Sequence, residues 1–221
     1  MSGGRTGYAV DEIPREEPAP PAARRELPIP TAADRRHVGA YLEMLLSSLL
    51  GLVASLVLSI DAIALAKDPS ADLSCNITDT ISCAKVGLTW QANLLGFPNA
   101  FLGLIAEPVV ITLAVAALGG VRFPRWFMLA AQVVYSIGLA FAYWLFYQAY
   151  FEIGALCPWC LLITVTTTLV FASMTRVNIL EGNLGAGTKR VLERPLRMGA
   201  DAAGVIVFVA VLAAMVIYKY L

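Results

Sequence analysis

Gly154-Ala-Leu-Cys157-Pro-Trp-Cys160-Leu-Leu-Ile163 places two cysteines three residues apart at the head of an apolar run that continues to Met174. Positions i and i+3 of a helix share one face, so the two thiols can close a small disulfide. The free N–H groups and positive end of the helix favour thiolate over thiol. The thiolate is the attacking species, and an ordinary cysteine of pKa ~8.5 is only slightly ionised at neutral pH. The motif therefore reads as a redox pair at the mouth of a membrane span.

The rest of the chain agrees with a membrane setting. It has 221 residues, 58% of them hydrophobic, against about 45–50% in soluble domains. Several apolar runs exceed the ~18 residues that mark a transmembrane helix. The fold class expected is an all-α, multi-pass membrane protein. The net charge is zero, and nucleic acid is not among the partners expected. The one histidine, His37, lies in a polar stretch, which excludes Cys-His and Ser-His catalysis and a His-ligated metal in the membrane. Chemistry is left to Cys75, Cys83, Cys157 and Cys160.

Residues 1–38 are rich in Pro, Ala, Arg and Glu and read as a disordered cytoplasmic tail. The first span covers about 39–66, with Asp61 near its far end. That carboxyl is either interfacial, a proton relay, or a partner to a polar group in the following loop. The outer loop, 67–97, holds Cys75 and Cys83, and its 84–93 segment suits a short interfacial helix anchored by Trp90. The second span covers about 98–117 and contains Glu107, which at that depth should face the bundle interior. The third covers about 127–150 and ends in aromatics that suit an interfacial belt. The fourth runs from the Cys-x-x-Cys turn to about 173, near the lower length limit. A polar cytoplasmic loop, 177–198, leads to a fifth helix at 199–221.

Orientation follows from the basic residues. Thirteen of the sixteen Lys and Arg fall in the tail, the turn near Arg122 and Arg125, and the 176–197 segment. The positive-inside rule then puts the N-terminus in the cytoplasm and the C-terminus and all four cysteines on the outer face of the cell membrane. That is the face where disulfides persist.

Two cysteine pairs on one face suggest a relay, in which one pair meets an external dithiol and the other passes the electrons on. No haem ligands, flavin fingerprint or Rossmann glycines are present, so the acceptor must come from elsewhere. A lipid-soluble quinone of the menaquinone or ubiquinone type is the natural one. Two structural disulfides would use the same residues but leave the helix-opening Cys-x-x-Cys unexplained. A zinc site fits poorly, since seven residues separate Cys75 from Cys83, and no metal is expected.

The order Cys75-x7-Cys83, Thr89-Trp90, Gly96-Phe-Pro-Asn-Ala-Phe-Leu-Gly103 and Cys157-Pro-Trp-Cys160 resembles the vitamin K epoxide reductase family, in particular its bacterial members. The likeness covers about residues 40–176. It implies a four-helix transmembrane bundle around a quinone site, residues 39–176, with the fifth helix added. It implies that Cys75 meets the partner, Cys83 attacks Cys157, and Cys160 faces the quinone. It also implies that Asn99 hydrogen-bonds a quinone carbonyl and that Thr89 stands near a second quinone-site position. Many bacterial relatives carry a fused thioredoxin-like domain after the fifth span. This sequence stops at Leu221, so the partner expected is a separate extracytoplasmic thioredoxin-fold disulfide oxidase. The activity expected is a thiol oxidase that passes electrons from that partner to quinone and sustains disulfide formation. The alternatives are a quinone or quinone-epoxide reductase serving quinone metabolism, and a non-catalytic membrane protein with structural disulfides.

Overall fold

The structure is a computed structural model and describes residues 32–220. The tail expected over most of 1–38 lies outside the described residues, as does Leu221. All regular structure among the described residues is helical. Helix α1 is Ala32–Lys67, α2 is Cys83–Gly87, and a 3-10 turn covers Trp90–Asn93. Helix α3 is Ala100–Leu118 and α4 is Arg125–Tyr147, which widens into a π-helical turn over Gln148–Ile153. Helices α5, α6 and α7 are Pro158–Leu180, Ala186–Arg197 and Ala200–Tyr220. Five of these helices, all but α2 and α6, are long and apolar enough to cross a membrane.

Helix α1 packs mainly on α3 and α5, and α4 packs on α5. In lipid, apolar burial does not drive helices together; close approach of small residues and interhelical hydrogen bonds do. Both devices appear. A Cβ on Gly103 would meet the Ser55 side chain at 2.0 Å, and one on Gly51 would meet Glu107 Oε1 at 2.8 Å. Glu107 is buried as its depth requires and accepts a hydrogen bond from the Tyr135 hydroxyl at 3.0 Å. Helix α7 buries none of its residues; it packs on α5 and touches α4, where the Phe208 and Tyr143 rings meet edge-on at 5.5 Å.

Several sequence boundaries need correction. Helix α1 begins at Ala32, so residues 32–38 are its first turns and not tail. The fourth span is 23 residues long and continues past Ser173. Its polar residues do not end the helix because they are satisfied inside the bundle. The Asn178 amide donates to Gln132 Oε1 at 3.1 Å, and Arg176 pairs with Asp201 at 3.2 Å. The 177–198 segment is therefore not a loop: it holds the last turn of α5 and the whole of α6. Helix α6 is amphipathic, with Leu196 buried and Arg190, Arg194 and Arg197 exposed. The single helix expected over 84–93 is instead two pieces, α2 and the 3-10 turn.

The two ends of the bundle differ in chemistry. The C-terminal end of α1, the loop with Cys75 and Cys83, and the N-terminal end of α5 with Cys157 meet at one end. The turn before α4 and the turn after α5 meet at the other, where Arg125 Nε donates to the Asn183 carbonyl at 2.7 Å.

Candidate functional site

Local sequence explains how each sulfur is placed. Gly154 has φ of +67°, a left-handed conformation that a side chain disfavours, and it turns the chain between α4 and Cys157. Pro158 opens α5, where its fixed φ suits the first helical position and its missing N–H costs nothing. Cys157 is the N-cap, and its sulfur accepts the backbone N–H of Cys160 at 3.3 Å. The Cys160 thiol, together with the backbone N–H groups of Cys160 and Trp159, lowers the pKa of Cys157 against the opposing effects of burial and Asp61.

The loop is clipped to this cap by its backbone. Leu156 N–H donates to the Thr80 carbonyl at 2.8 Å, and Ser82 N–H donates to the Leu156 carbonyl at 3.0 Å. Ser82 then caps α2, its hydroxyl accepting from Lys85 N–H at 3.2 Å and donating to Asn76 Oδ1 at 2.9 Å. Asn76 Oδ1 also accepts from Ala84 N–H at 3.1 Å. Cys83, the first residue of α2, is thereby set with its sulfur 3.3 Å from that of Cys157. Cys83 is joined to Cys75 in a disulfide, and Cys157 and Cys160 are free thiols. Cys75, Cys83 and Cys157 are only 5%, 3% and 2% exposed, while Cys160 is half-buried beside Trp159. Asp61 Oδ2 lies 3.6 Å from the Cys75 sulfur.

This arrangement sits one exchange step from rearrangement. A Cys157 thiolate at 3.3 Å from Cys83 can attack that sulfur and release Cys75, and the reverse step is equally available.

A family model described as the vitamin K epoxide reductase family matches residues 42–175. The chain belongs to the vitamin K epoxide reductase family. Comparison with curated proteins finds no match. Membership in the vitamin K epoxide reductase family makes this a membrane oxidoreductase that works through cysteines, from a family associated with quinone use.

The two polar residues expected near a quinone lie apart from the cysteines in hydrogen bonding. Thr89 donates to the Val86 carbonyl at 2.7 Å and accepts from Ala92 N–H at 3.4 Å, so its hydroxyl links α2 to the 3-10 turn. Asn99 precedes α3 but makes no capping bond with its side chain. Its Nδ2 donates to the Gln91 carbonyl at 2.6 Å, and its Oδ1 is buried without a partner among the described residues. An amide so held keeps one N–H and an acceptor oxygen free. That donor set suits both a quinone carbonyl and a quinol hydroxyl. Half-buried Cys160 lies in an apolar cluster that includes Trp159 and Leu58; a partly free amide and a thiol in apolar surroundings are the chemistry a quinone head would need.

Sequence reasoning missed two contributors and left a third among alternatives. The paired bonds of Leu156 place the loop, Asn76 anchors α2, and Asp61 meets Cys75. Only Asp61 carried a signal, as an acid near the end of a span that could partner a group in the following loop; that group is Cys75.

Proposed function

We propose that the protein is a membrane thiol oxidase. It takes electrons from a thioredoxin-fold dithiol protein outside the cytoplasm, through Cys75–Cys83 and then Cys157–Cys160, to a membrane quinone. The 3.3 Å contact between Cys83 and Cys157 sulfurs is the observation that supports the reading best.

The steps balance as exchange reactions. A partner thiolate attacks Cys75, and the Cys75–Cys83 bond breaks to leave Cys83 as thiolate. The partner's second thiol then closes the partner disulfide and frees Cys75. Cys83 attacks Cys157 of an oxidised Cys157–Cys160 pair, and Cys160 leaves as thiolate. Cys75 attacks Cys83 and releases Cys157. When bound, the quinone supplies a sink for two electrons and two protons. Cys160 is the donor thiol of this chain, and Asn99 is the residue that would hold the head. Cys75 is buried in the state described, so meeting a protein partner requires the 67–82 loop to lift from Leu156. Two backbone bonds hold it there, a small barrier at roughly 0.5–1.5 kcal/mol each.

Trapped intermediates test the order. With the partner dithiol present, Cys83→Ser should accumulate a mixed disulfide between Cys75 and the partner. Cys160→Ser should accumulate Cys83–Cys157. Absence of both species after acid trapping would overturn the relay.

A further inference from the structure

We propose that Asp61 is the proton acceptor and donor for Cys75 in the exchange between the two cysteine pairs. The inference rests on the relay above. Asp61 stands on the last turns of α1, half-buried among the residues that enclose the disulfide, with Leu65 and Leu73 close by. A carboxylate oxygen of Asp61 and the sulfurs of Cys75 and Cys83 all lie within 4.8 Å of one another. The two sulfurs are bonded to each other, so they offer no thiolate pair to a metal.

A disulfide has no proton to give. The 3.6 Å approach of Asp61 Oδ2 to Cys75 therefore becomes a hydrogen bond only when Cys75 is a thiol. Nothing else among the described residues satisfies this carboxylate. Among the described residues no Lys, Arg or His nitrogen lies within 4.0 Å of it, and the Lys85 ammonium is turned to the Asp79 carbonyl at 3.3 Å. The titratable groups that face it are sulfurs: Cys75 from the loop, Cys83 from α2, and Cys157 from α5, whose ionisation its charge opposes. An acid that only filled space here would leave its desolvation uncompensated.

The step is a proton transfer coupled to exchange. In the Cys83–Cys157 mixed disulfide, Cys75 Sγ–H gives its proton to Asp61. The Cys75 thiolate attacks Cys83 Sγ, the Cys75–Cys83 bond forms, and the Cys83–Cys157 bond breaks. The electron pair leaves on Cys157, whose sulfur is held by the Cys160 N–H. In the reverse direction the protonated Asp61 returns the proton to the leaving Cys75. No net oxidation occurs.

Cys160→Ser isolates this step, because one free thiol then moves between Cys75 and Cys157 without partner or quinone. Equilibration after a pH jump is followed by acid quench, alkylation and peptide mapping, over about pH 6 to 9, which brackets the ordinary thiol pKa. Adding Asp61→Asn should slow equilibration about 10- to 100-fold at neutral pH, the scale of general acid–base catalysis. The gap should close toward alkaline pH as Cys75 ionises unaided, and Asp61→Glu should recover part of the rate. Equal rates at every pH would overturn the proposal. So would a gap that stays constant with pH, or one that tracks a loss of Tm, since either marks a packing role. If no Cys83–Cys157 forms with Asp61 present, the step does not occur and the proposal falls. Quinone reduction by the parent protein judges the functional reading separately.

Discussion

Cys157 caps α5 and, in the relay proposed, is also the attacking thiolate and exchange partner. Its lowered pKa has the Cys160 thiol as its largest cause, so the thiolate is present above the depressed value and is lost as pH falls through it. A protein lacking Cys75 and Cys83 should therefore show a Cys157 titration midpoint below the ordinary ~8.5, read by thiolate absorbance. Cys160→Ser should move that midpoint upward, and an unchanged midpoint would contradict the assigned cause. Asn99 is the second residue whose role can be separated from structure. Asn99→Ala should slow quinone reduction about 10- to 100-fold, for a charge-assisted bond worth roughly 1.5–3 kcal/mol. It should leave exchange between the cysteine pairs near the parent rate. Because the Asn99 side chain makes no capping bond to α3, Asn99→Ser should not restore the activity. Recovery by Ser would show that capping, and not the quinone, explains the residue.

At the level of the helix, the apolar runs made the five long helices readable, while their ends were hidden. Hydropathy cannot see that Asn178 and Arg176 are paired within the bundle, so α5 reads six or seven residues short. The charges of Lys189, Arg190, Arg194 and Arg197 swamp the apolar stripe of α6 in the same way. The Cys-x-x-Cys turn was readable because its chemistry is local. The meeting of Cys83 with Cys157 came only through the family resemblance, because it depends on two backbone bonds between segments 74 residues apart that no local pattern reveals. The α1–α3 contact offers a direct test of packing. Ala is intrinsically better than Gly in a helix by roughly 0.5–1 kcal/mol, yet a Cβ at Gly103 would strike Ser55 at 2.0 Å. Gly103→Ala should therefore destabilise the protein by about 1–3 kcal/mol, seen as a lower Tm in detergent. Adding Ser55→Gly should recover much of the loss by making room, and a stabilised Gly103→Ala would show that these helices do not meet as described.

Over the whole molecule, two independent features point the same way. Among the described residues, Arg122, Arg125 and the basic residues of 176–197 belong to the Arg125–Asn183 end, and the cysteines gather at the opposite end. Under the orientation expected from the positive-inside rule, the cysteine end would lie on the oxidising side. A reporter fused at Leu221 should be active outside the cytoplasm and one placed at Arg122 only inside; the reverse pattern would remove the compartment in which the proposed relay works. The relay itself is tested most directly by anaerobic turnover of the purified protein with a reduced thioredoxin-fold donor and a short-chain quinone. The account predicts one quinol formed for each donor disulfide, and no turnover in Cys83→Ser although quinone still oxidises its Cys157–Cys160 pair. Parent protein that forms no quinol, or Cys83→Ser that turns over at the parent rate, would contradict it.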